Sequence, residues 1–289
     1  MLITIALLLA LLPASNGDTI PARERTALER YRDHARQHHF AELSPAARVV
    51  ATGRYLLGTP YRAGTLDDGE QEHLIINLAH LDCVTFIDNV LALALTDARD
   101  KEAITTHFPR NLRRLRYRDG KITDYSSRLH YSTDWLFEMQ RQGILRDVTG
   151  DTTGLPRVNP VGYLSRHHDN NPALRGNAAM IARVAAIERI INARNTRYLP
   201  KNRVETRAGQ LREGDIILIT TTREGLDTSH VGIAVEVEGN IHLLHASTDA
   251  GKVSITTAPL RHYLQSMPRH AGIIAARLAN TEKLNNHVK

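Results

Sequence analysis

Cysteine is almost absent from this chain of 289 residues, which contains only one, Cys83. A lone cysteine excludes an internal disulfide, so the fold must depend on its hydrophobic core. Long apolar runs are also missing. The one candidate, residues 1–13, is shorter than the roughly 20 residues that a membrane-spanning helix needs. We therefore expect no stable membrane insertion.

Aromatic residues make up only 5% of the chain, and no stripe of them alternates with basic residues. Zinc-finger spacing and a recognition helix are absent as well. The net charge of +6 is compatible with an anionic polymer such as cell wall or nucleic acid, but the basic residues are scattered. The densest basic run, 110–118, has the spacing of a solvated helix face. Nucleic acid binding is thus the weaker alternative, and we expect no such partner.

The apolar segment 1–13 is followed by the small residues Ser15, Asn16 and Gly17. An apolar core of this length before small residues is typical of a secretory signal peptide. The segment lacks Lys and Arg, and a buried N-terminal helix or strand is the alternative. We predict a signal peptide over residues 1–17 and a mature protein that is periplasmic or secreted.

With 42% hydrophobic and 24% charged residues, the chain has the composition of a folded globular protein. Helical patterns come first and strand patterns later, which indicates an α+β fold with an antiparallel sheet. We predict a single domain over residues 18–289. Its parts are an N-terminal helix at 18–43, a helical insertion at about 100–200 and a sheet at 205–278.

Periodicity and turn residues predict the individual elements. Ser44 and Pro45 are a favourable N-cap and first position for a helix that stops at Gly58. The apolar run 74–78 predicts a short strand. Further helical patterns occupy 101–115, 132–142 and 173–193, and strand patterns occupy 215–219, 230–237, 241–246 and 271–278.

Cys83 lies at the predicted start of a helix. Asp82 is a suitable N-cap, and apolar residues recur at helical spacing from Val84 onward. In the first turn, the helix dipole and the free N–H groups favour a thiolate. The alternative is an inert cysteine in the core, since free cysteine is among the most buried residue types.

Two histidines are candidate partners for this thiol. His230 opens a predicted strand, and His245 lies fifteen positions later on the neighbouring strand of a hairpin. Adjacent strands are about 4.8 Å apart, so one imidazole can hydrogen-bond the other and fix its tautomer. His242 competes with His245, but strand alternation places the two on opposite faces. The pattern predicts a nucleophile, a base and an orienting group, with the Cys83 N–H as an oxyanion donor.

Five segments, taken in chain order, resemble the NlpC-type papain-like cell-wall hydrolases. They are Gly58-Thr59-Pro60-Tyr61-Arg62, Asp82-Cys83, Leu211-Arg212-Glu213-Gly214-Asp215-Ile216, His230-Val231-Gly232-Ile233 and His245-Ala246. The resemblance implies a papain-like fold, with the cysteine at the start of a helix packed on an antiparallel sheet. It also implies that Cys83 is the nucleophile, His230 the base and His245 the third polar residue. Tyr61 then matches the active-site tyrosine that lies against the nucleophile.

The sequence departs from the general pattern of these hydrolases, because Val84-Thr85 replaces the usual Ser-Gly and a long insertion separates the helix from the sheet. These features, with segments 127–135 and 242–247, resemble a branch formerly known as a domain of unknown function. That branch implies an N-acetylmuramoyl-L-alanine amidase acting on peptidoglycan fragments, or muropeptides. One alternative is a γ-D-glutamyl-diamino acid endopeptidase. A catalytically idle cell-wall binding module is another, although it would not need all three triad residues.

Substrate contacts are predicted within the branch-like segments. The candidates are Arg128, His130, Tyr131, Ser165 and His167. A buried arginine or tyrosine could bind the carboxylate of an anionic muropeptide. The alternative is that these side chains brace the loops of the insertion.

No metal or other cofactor is predicted. His242 and His245 have strand spacing, and the sequence around them lacks the glutamate of a helical zinc motif. The expected chemistry therefore rests on the thiol and the imidazoles alone.

Overall fold

The computed structural model describes residues 20–67, 71–149, 154–156, 159–204 and 211–279. The α-helices are α1 (Ala22–Gln37), α2 (Pro45–Tyr55), α3 (Cys83–Ala94), α4 (Ala103–Arg116), α5 (Ser132–Arg141), α6 (Tyr163–Arg166), α7 (Ala178–Asn192) and α8 (Leu260–Ser266). The strands are β1 (Leu145–Asp147), β2 (Leu155–Pro156), β3 (Arg197–Pro200), β4 (Ile216–Thr221), β5 (Thr228–Val237), β6 (Asn240–Ser247), β7 (Lys252–Ile255) and β8 (His270–Leu278). Short 3-10 turns lie at Phe40–Glu42, Arg118–Gly120, Tyr125–Ser127, His168–Asn170 and Lys201–Arg203. The predicted signal peptide, residues 1–17, lies outside the described residues.

The strands form one sheet in the order β2-β3-β8-β4-β5-β6-β7, and β1 also pairs with β8. Every strand pairing is antiparallel. The predicted α+β class with an antiparallel sheet is therefore confirmed. The predicted hairpin is also present, as β5 and β6 joined by a tight turn.

The sheet is buried on both faces, which explains why its central strand β4 is buried throughout and begins with four apolar residues. Ile216 and Leu218 point into a large core shared with α1 to α5. Ile217 and Ile219 point to the other face, where Leu260 of α8 covers them. The cysteine-bearing helix and α8 thus lie on opposite sides of the sheet.

The start of α3 is fixed by a capping box. The Thr85 N–H donates to Asp82 Oδ1 at 2.8 Å, and the Asp82 N–H donates to Thr85 Oγ1 at 2.9 Å. From Thr85 onward the helix is buried, and it packs against α2, α4 and β5. Asp82 is therefore the N-cap that the sequence predicted, and Cys83 is held in the first turn.

The predicted strand at 74–78 is wrong, because this segment is irregular. Side chains from elsewhere satisfy its backbone. Arg116 Nη1 donates to the Ile75 carbonyl at 2.6 Å, and the Leu78 N–H donates to Glu24 Oε2 at 2.8 Å. An apolar run whose backbone groups are bonded by side chains needs no strand partner.

The predicted helical insertion at 100–200 contains α4, α5 and α7, and also the short strands β1, β2 and β3. Both β1 and β3 pair with β8, the last strand of the sheet. Strands of the insertion are thus part of the sheet. Within the part of the chain that the structure describes, no helix has the length and apolarity needed to cross a membrane.

Gly272 on β8 is a position where any side chain is expected to disrupt this junction. A Cβ there would lie 2.0 Å from the Leu199 carbonyl oxygen of β3 and 2.8 Å from the Pro200 Cα. We expect Gly272→Ala to lower the free energy of unfolding by about 3 kcal/mol, measured by urea denaturation. Gly239→Ala is the comparison. It has open space and a φ of +75°, so it should cost about 1 kcal/mol, and equal losses would contradict the steric argument.

Candidate active site

Cys83 lies where the first turn of α3 meets the start of β5. Its thiol is partly buried, and the backbone N–H groups of Val231, Cys83 and Val84 are directed at it. Val231 directly follows His230, so the thiol lies beside the strand position that carries this histidine. The sheet and the helix therefore bring together two residues that are far apart in sequence.

Burial raises the pKa of the Cys83 thiol to about 12, and the negative charge of Asp82 adds to this rise. The surrounding N–H groups lower it, but by less. The sequence-based expectation of a thiolate in the first helical turn is therefore wrong in its net direction, since desolvation outweighs the helix start. The resting form is a neutral thiol.

His230 and His245 form a hydrogen-bonded pair. Nε2 of His230 and Nδ1 of His245 are 2.5 Å apart, with the two rings nearly perpendicular at 85°. Burial lowers the pKa of His230 to about 3, helped by the nearby imidazoles of His245 and His270. Burial also lowers the pKa of His245 to about 4, against the charge of Asp249. Both rings are therefore neutral at pH 7.

His242, the competitor of His245, has another partner. Its Nδ1 lies 2.7 Å from the Thr256 carbonyl oxygen. Strand alternation on β6 places His242 and His245 on opposite faces of the sheet, as the sequence analysis argued. In this geometry it is His245 that contacts His230.

Two tyrosines flank the thiol. Tyr61 is bridged to Leu81, two residues before Cys83, and burial raises its pKa, with further contributions from Cys83 and Asp82. Tyr263 on α8 meets the His245 ring edge-on, with centroids 5.7 Å apart, and its pKa is raised by burial and then by Asp249 and Cys83. Sequence reasoning missed Tyr263, because nothing in its helix marks it as a neighbour of the site.

A cavity of about 210 Å³ opens beside the thiol. The residues before and after Cys83 line it, as does Val231 after His230. Its wall comes from α3 and from the insertion, through Asp82, Val84, Ile87, Asp88, Arg116, Arg128, Leu129, His130, Ser132 and Trp135. The cavity is therefore positioned to receive a group attached to whatever bond the thiol attacks.

Arg128 and His130, two of the predicted substrate residues, line this cavity. The Arg128 guanidinium already donates to both carboxylate oxygens of Glu72, at 2.9 and 2.8 Å, and to Asp67 Oδ1 at 3.0 Å. His130 Nε2 lies 2.8 Å from the Tyr125 carbonyl oxygen, and burial lowers its pKa to about 3. The carboxylate-binding capacity expected of Arg128 is thus used within the chain.

Tyr131, Ser165 and His167 are not among the residues that line the cavity. The Tyr131 hydroxyl donates to Glu188 Oε1 at 2.6 Å, and the Ser165 hydroxyl donates to the same buried carboxylate. His167 stacks on Tyr163 and bonds its carbonyl at 2.9 Å. These contacts brace the insertion, and a substrate-binding role for the three residues stays a prediction.

Asp227 joins the insertion to β5. Its carboxylate accepts from the Thr133 N–H at 2.7 Å and from the Thr228 N–H at 2.8 Å. Next to it, the hydroxyls of Ser132 and Thr228 are 2.6 Å apart. The start of α5 is therefore tied to β5 two residues before His230.

In the ranges that the structure describes, no cluster of three or more His, Cys, Asp or Glu side chains could hold a metal ion. The geometry around Cys83 brings together a thiol, a pair of neutral imidazoles and the backbone N–H groups of a helix start. Such an arrangement can carry out acyl transfer through a covalent thioester.

The buried neutral histidines predict acid-sensitive stability. Burial holds the pKa values of His130, His230 and His245 below the ordinary value of 6.5, at about 3, 3 and 4. Between those values and pH 6.5, the unfolded chain binds more protons than the folded one. Stability is therefore full above pH 6.5 and falls with decreasing pH, by up to about 1.4 kcal/mol per pH unit for each histidine.

This slope can be measured by urea denaturation between pH 7 and 5.5. We expect His130→Gln to reduce the slope of stability against pH by the contribution of one histidine, whether or not the variant is less stable at pH 7. The matched control, His262→Gln at an exposed position, should leave the slope unchanged. Equal slopes in all three proteins would contradict the prediction.

Comparison with known proteins identifies the family of the chain. Residues 51–273 match the family model of AmiA-like proteins, described as N-acetylmuramoyl-L-alanine amidase-like. An N-acetylmuramoyl-L-alanine amidase from Bacteroides uniformis ATCC 8492 is 35% identical, with a TM-score of 0.76, and the match covers 81% of this chain and 98% of that one.

Two further solved structures are similar. A protein from Bacteroides fragilis, named as a candidate xylanase, is 39% identical, with a TM-score of 0.75 and coverage of 79% of this chain and 100% of that one. A Legionella pneumophila protein at 22% identity shares the fold, with a TM-score of 0.67 and coverage of 89% and 95%. No curated protein matches the chain.

Proposed function

Because the chain belongs to the AmiA-like, N-acetylmuramoyl-L-alanine amidase-like family, we propose that it is a cysteine amidase that cleaves the N-acetylmuramoyl-L-alanine bond of muropeptides. The family implies a hydrolase with a peptidoglycan-related substrate. The observation that carries the cysteine mechanism is the placement of Cys83 against Val231, beside the His230–His245 pair. We assign Cys83 as nucleophile, His230 as base and His245 as the orienting residue.

The hydrogen bond between the two histidines determines where the protons lie. Since Nε2 of His230 faces Nδ1 of His245, it is the Nδ1 of His230 that remains to accept the thiol proton. His230 then donates from Nε2, which requires His245 to carry its own proton on Nε2. A neutral thiol beside a neutral imidazole fits general-base transfer during attack.

The reaction follows from these roles. Cys83 Sγ attacks the amide carbonyl carbon as its proton passes to His230. The oxyanion accepts from the N–H groups of Cys83 and Val84, which face the thiol and bond no backbone carbonyl among the described residues. The C–N bond then breaks, the amine leaves with the proton from His230, and a thioester remains. Water, deprotonated by His230, hydrolyses the thioester and restores the thiol.

Three other activities fit less well. An endopeptidase acting between D-glutamate and the diamino acid would use the same thiol and differs only in the bond cut. An idle binding module has no use for the His230–His245 pair. A glycosidase needs two carboxylates free to flank a glycosidic bond. The nearest ones, Asp82 and Asp88, are held by the capping box and by an ion pair.

We also propose that the chain is a papain-like member of the NlpC-type superfamily and that it acts in the periplasm or outside the cell. The apolar segment 1–13 and the five sequence segments named above support these two proposals. Mass spectrometry of the mature protein from an exporting host tests the second one. Removal of residues 1–17 is expected, and an intact N-terminus in the periplasmic fraction would contradict it.

The test of the function is mass spectrometry of a disaccharide-tetrapeptide muropeptide after incubation with the protein. Free disaccharide and intact tetrapeptide are expected. A disaccharide-dipeptide would instead identify the endopeptidase. An unchanged substrate would overturn the proposal, and so would cleavage by Cys83→Ala at the wild-type rate.

A further inference from the structure

The cavity beside the thiol runs along one side of α3. Val84, Ile87 and Asp88 all line it, at the i, i+3 and i+4 spacing that places side chains on one helix face. Val84 is 44% exposed at the mouth, whereas Asp88 is buried. Four helical residues rise about 6 Å, so the floor of the cavity lies roughly one turn from the reacting thiol.

A buried ion pair forms the floor. Arg116 Nε donates to Asp88 Oδ2 at 2.9 Å, and the side chains of Arg116 and Asp88 are only 3% and 2% exposed. Arg116 Nη1 donates to the Ile75 carbonyl oxygen at 2.6 Å. Among the described residues, nothing bonds Arg116 Nη2 or Asp88 Oδ1. Because both residues line the cavity, a donor and an acceptor are available side by side to a ligand.

The charges around the cavity argue against an anionic ligand. Asp67, Asp82 and Asp88 outnumber Arg116 and Arg128 among the lining residues, and Arg128 is already bound by two acidic side chains. A carboxylate entering the cavity would meet Arg116 but also the adjacent Asp88. A neutral group with both a donor and an acceptor satisfies the ion pair without adding charge.

Part of the remaining wall is apolar. Ile87, Leu129 and Trp135 stand beside the ion pair and offer a surface for a methyl group. A secondary amide that ends in a methyl group has all three features, since it combines a carbonyl acceptor, an N–H donor and an apolar end. On the substrate of the proposed reaction, the acetamido group of the amino sugar has this structure. It is separated from the attacked carbonyl by only the lactyl chain and two ring carbons.

We propose that this cavity binds the acetamido group of the muramoyl sugar, with its carbonyl oxygen accepting from Arg116 Nη2 and its N–H donating to Asp88 Oδ1. The inference rests on the proposed function and assigns the acyl side of the substrate to the α3 cavity. The stem peptide, whose later residues carry carboxylates, lies on the other side of the thiol. Recognition of the sugar therefore comes from a preformed ion pair.

The experiment uses the wild-type protein and two substrates that differ only in the acetamido group. One is N-acetylmuramoyl-L-alanine, and the other is its 2-deoxy analogue, in which hydrogen replaces the acetamido group. We expect kcat/KM to be roughly 10²- to 10³-fold lower for the analogue, because a buried donor and a buried acceptor lose their partners. Values within threefold of each other would overturn the proposal.

Binding to Cys83→Ala separates this inference from the proposed function. Calorimetry with N-acetylmuramic acid and its 2-deoxy analogue measures sugar recognition without turnover. A preference for the acetamido compound supports the cavity assignment even if neither substrate is cleaved, which would reject only the amidase function. Equal affinities would overturn the cavity assignment even if the amide is hydrolysed.

A pair of matched variants locates the recognition. Asp88→Asn removes the carboxylate acceptor, and we expect the preference for the acetamido substrate to fall at least tenfold. Asp67→Asn removes another carboxylate that lines the same cavity and should retain the preference. Should Asp88→Asn fail to fold, the comparison of the two substrates on the wild-type protein still tests whether the acetamido group is recognised. Equal preference in a folded Asp88→Asn variant would overturn the assignment.

Discussion

Cys83→Ala is expected to lower kcat for muropeptide hydrolysis by at least about 10⁴-fold, because no thioester can form without the sulfur. Substrate binding should change little, since the flanking residues and not Cys83 line the cavity. The residue is partly buried at a helix start whose capping box does not involve its side chain. The measurements are single-turnover kinetics, calorimetric affinity and thermal unfolding on the same preparations.

Cys83→Ser is the matched control, because it keeps the shape of the site and offers a poorer nucleophile to the same base. A loss of roughly 10³-fold is expected, between the wild type and the alanine variant. Turnover at the wild-type rate in Cys83→Ala would contradict the assignment of Cys83 as the nucleophile. Loss of affinity together with loss of the thermal transition would mean only that the variant is unfolded.

Alanine substitution of the three histidines in the hairpin is expected to lower kcat to different extents, most for His230 and least for His242. His230→Ala removes the proton acceptor and should lower kcat by about 10³- to 10⁴-fold. His245→Ala leaves the acceptor but removes its 2.5 Å partner, so a loss of roughly 10²-fold is expected. His242→Ala loses only the bond to the Thr256 carbonyl, so stability should fall while kcat stays within about threefold.

An equal loss of kcat in His242→Ala and His245→Ala would contradict the assignment of the orienting residue. The pH profile gives a second check. Because burial lowers the pKa of His230 to about 3 from an ordinary value of 6.5, the base stays neutral as the solution becomes mildly acidic. The acid limb of kcat/KM should therefore lie below pH 6.5, and a midpoint above 7 would contradict the buried neutral base.

Local sequence signals predicted the parts of the site that depend on neighbouring residues. The N-cap Asp82 is recognisable because a capping residue precedes an apolar helical pattern, and the capping box confirms it. The hairpin of β5 and β6 follows from strand patterns on either side of the turn at Glu238 and Gly239, and it brings His230 and His245 together. Interactions between residues close in sequence determine both features, so both can be predicted from one sequence.

Features that depend on distant partners were not predictable in the same way. Burial determines the pKa of the Cys83 thiol, and no local sequence pattern indicates how deeply that thiol is buried. The segment 74–78 looks like a strand until Arg116 and Glu24 are seen to bond its backbone. One signal was available but not used. Asp88 is a charged residue inside an apolar helix, and such a residue requires a buried partner.

The attachment of α5 to β5 through Asp227 links two parts of the site that a substrate contacts separately. Trp135 on α5 lines the cavity, while the proposed base, His230, lies on β5. A sugar that displaces Trp135 is therefore expected to shift His230 as well, because the Asp227 carboxylate bonds the start of α5 to β5. Poorly fitting substrates are then bound but turned over slowly. Selectivity between well-fitting and poorly fitting sugars should therefore appear in kcat more than in KM. Discrimination would then depend on how well His230 is aligned with the thiol after the substrate has bound.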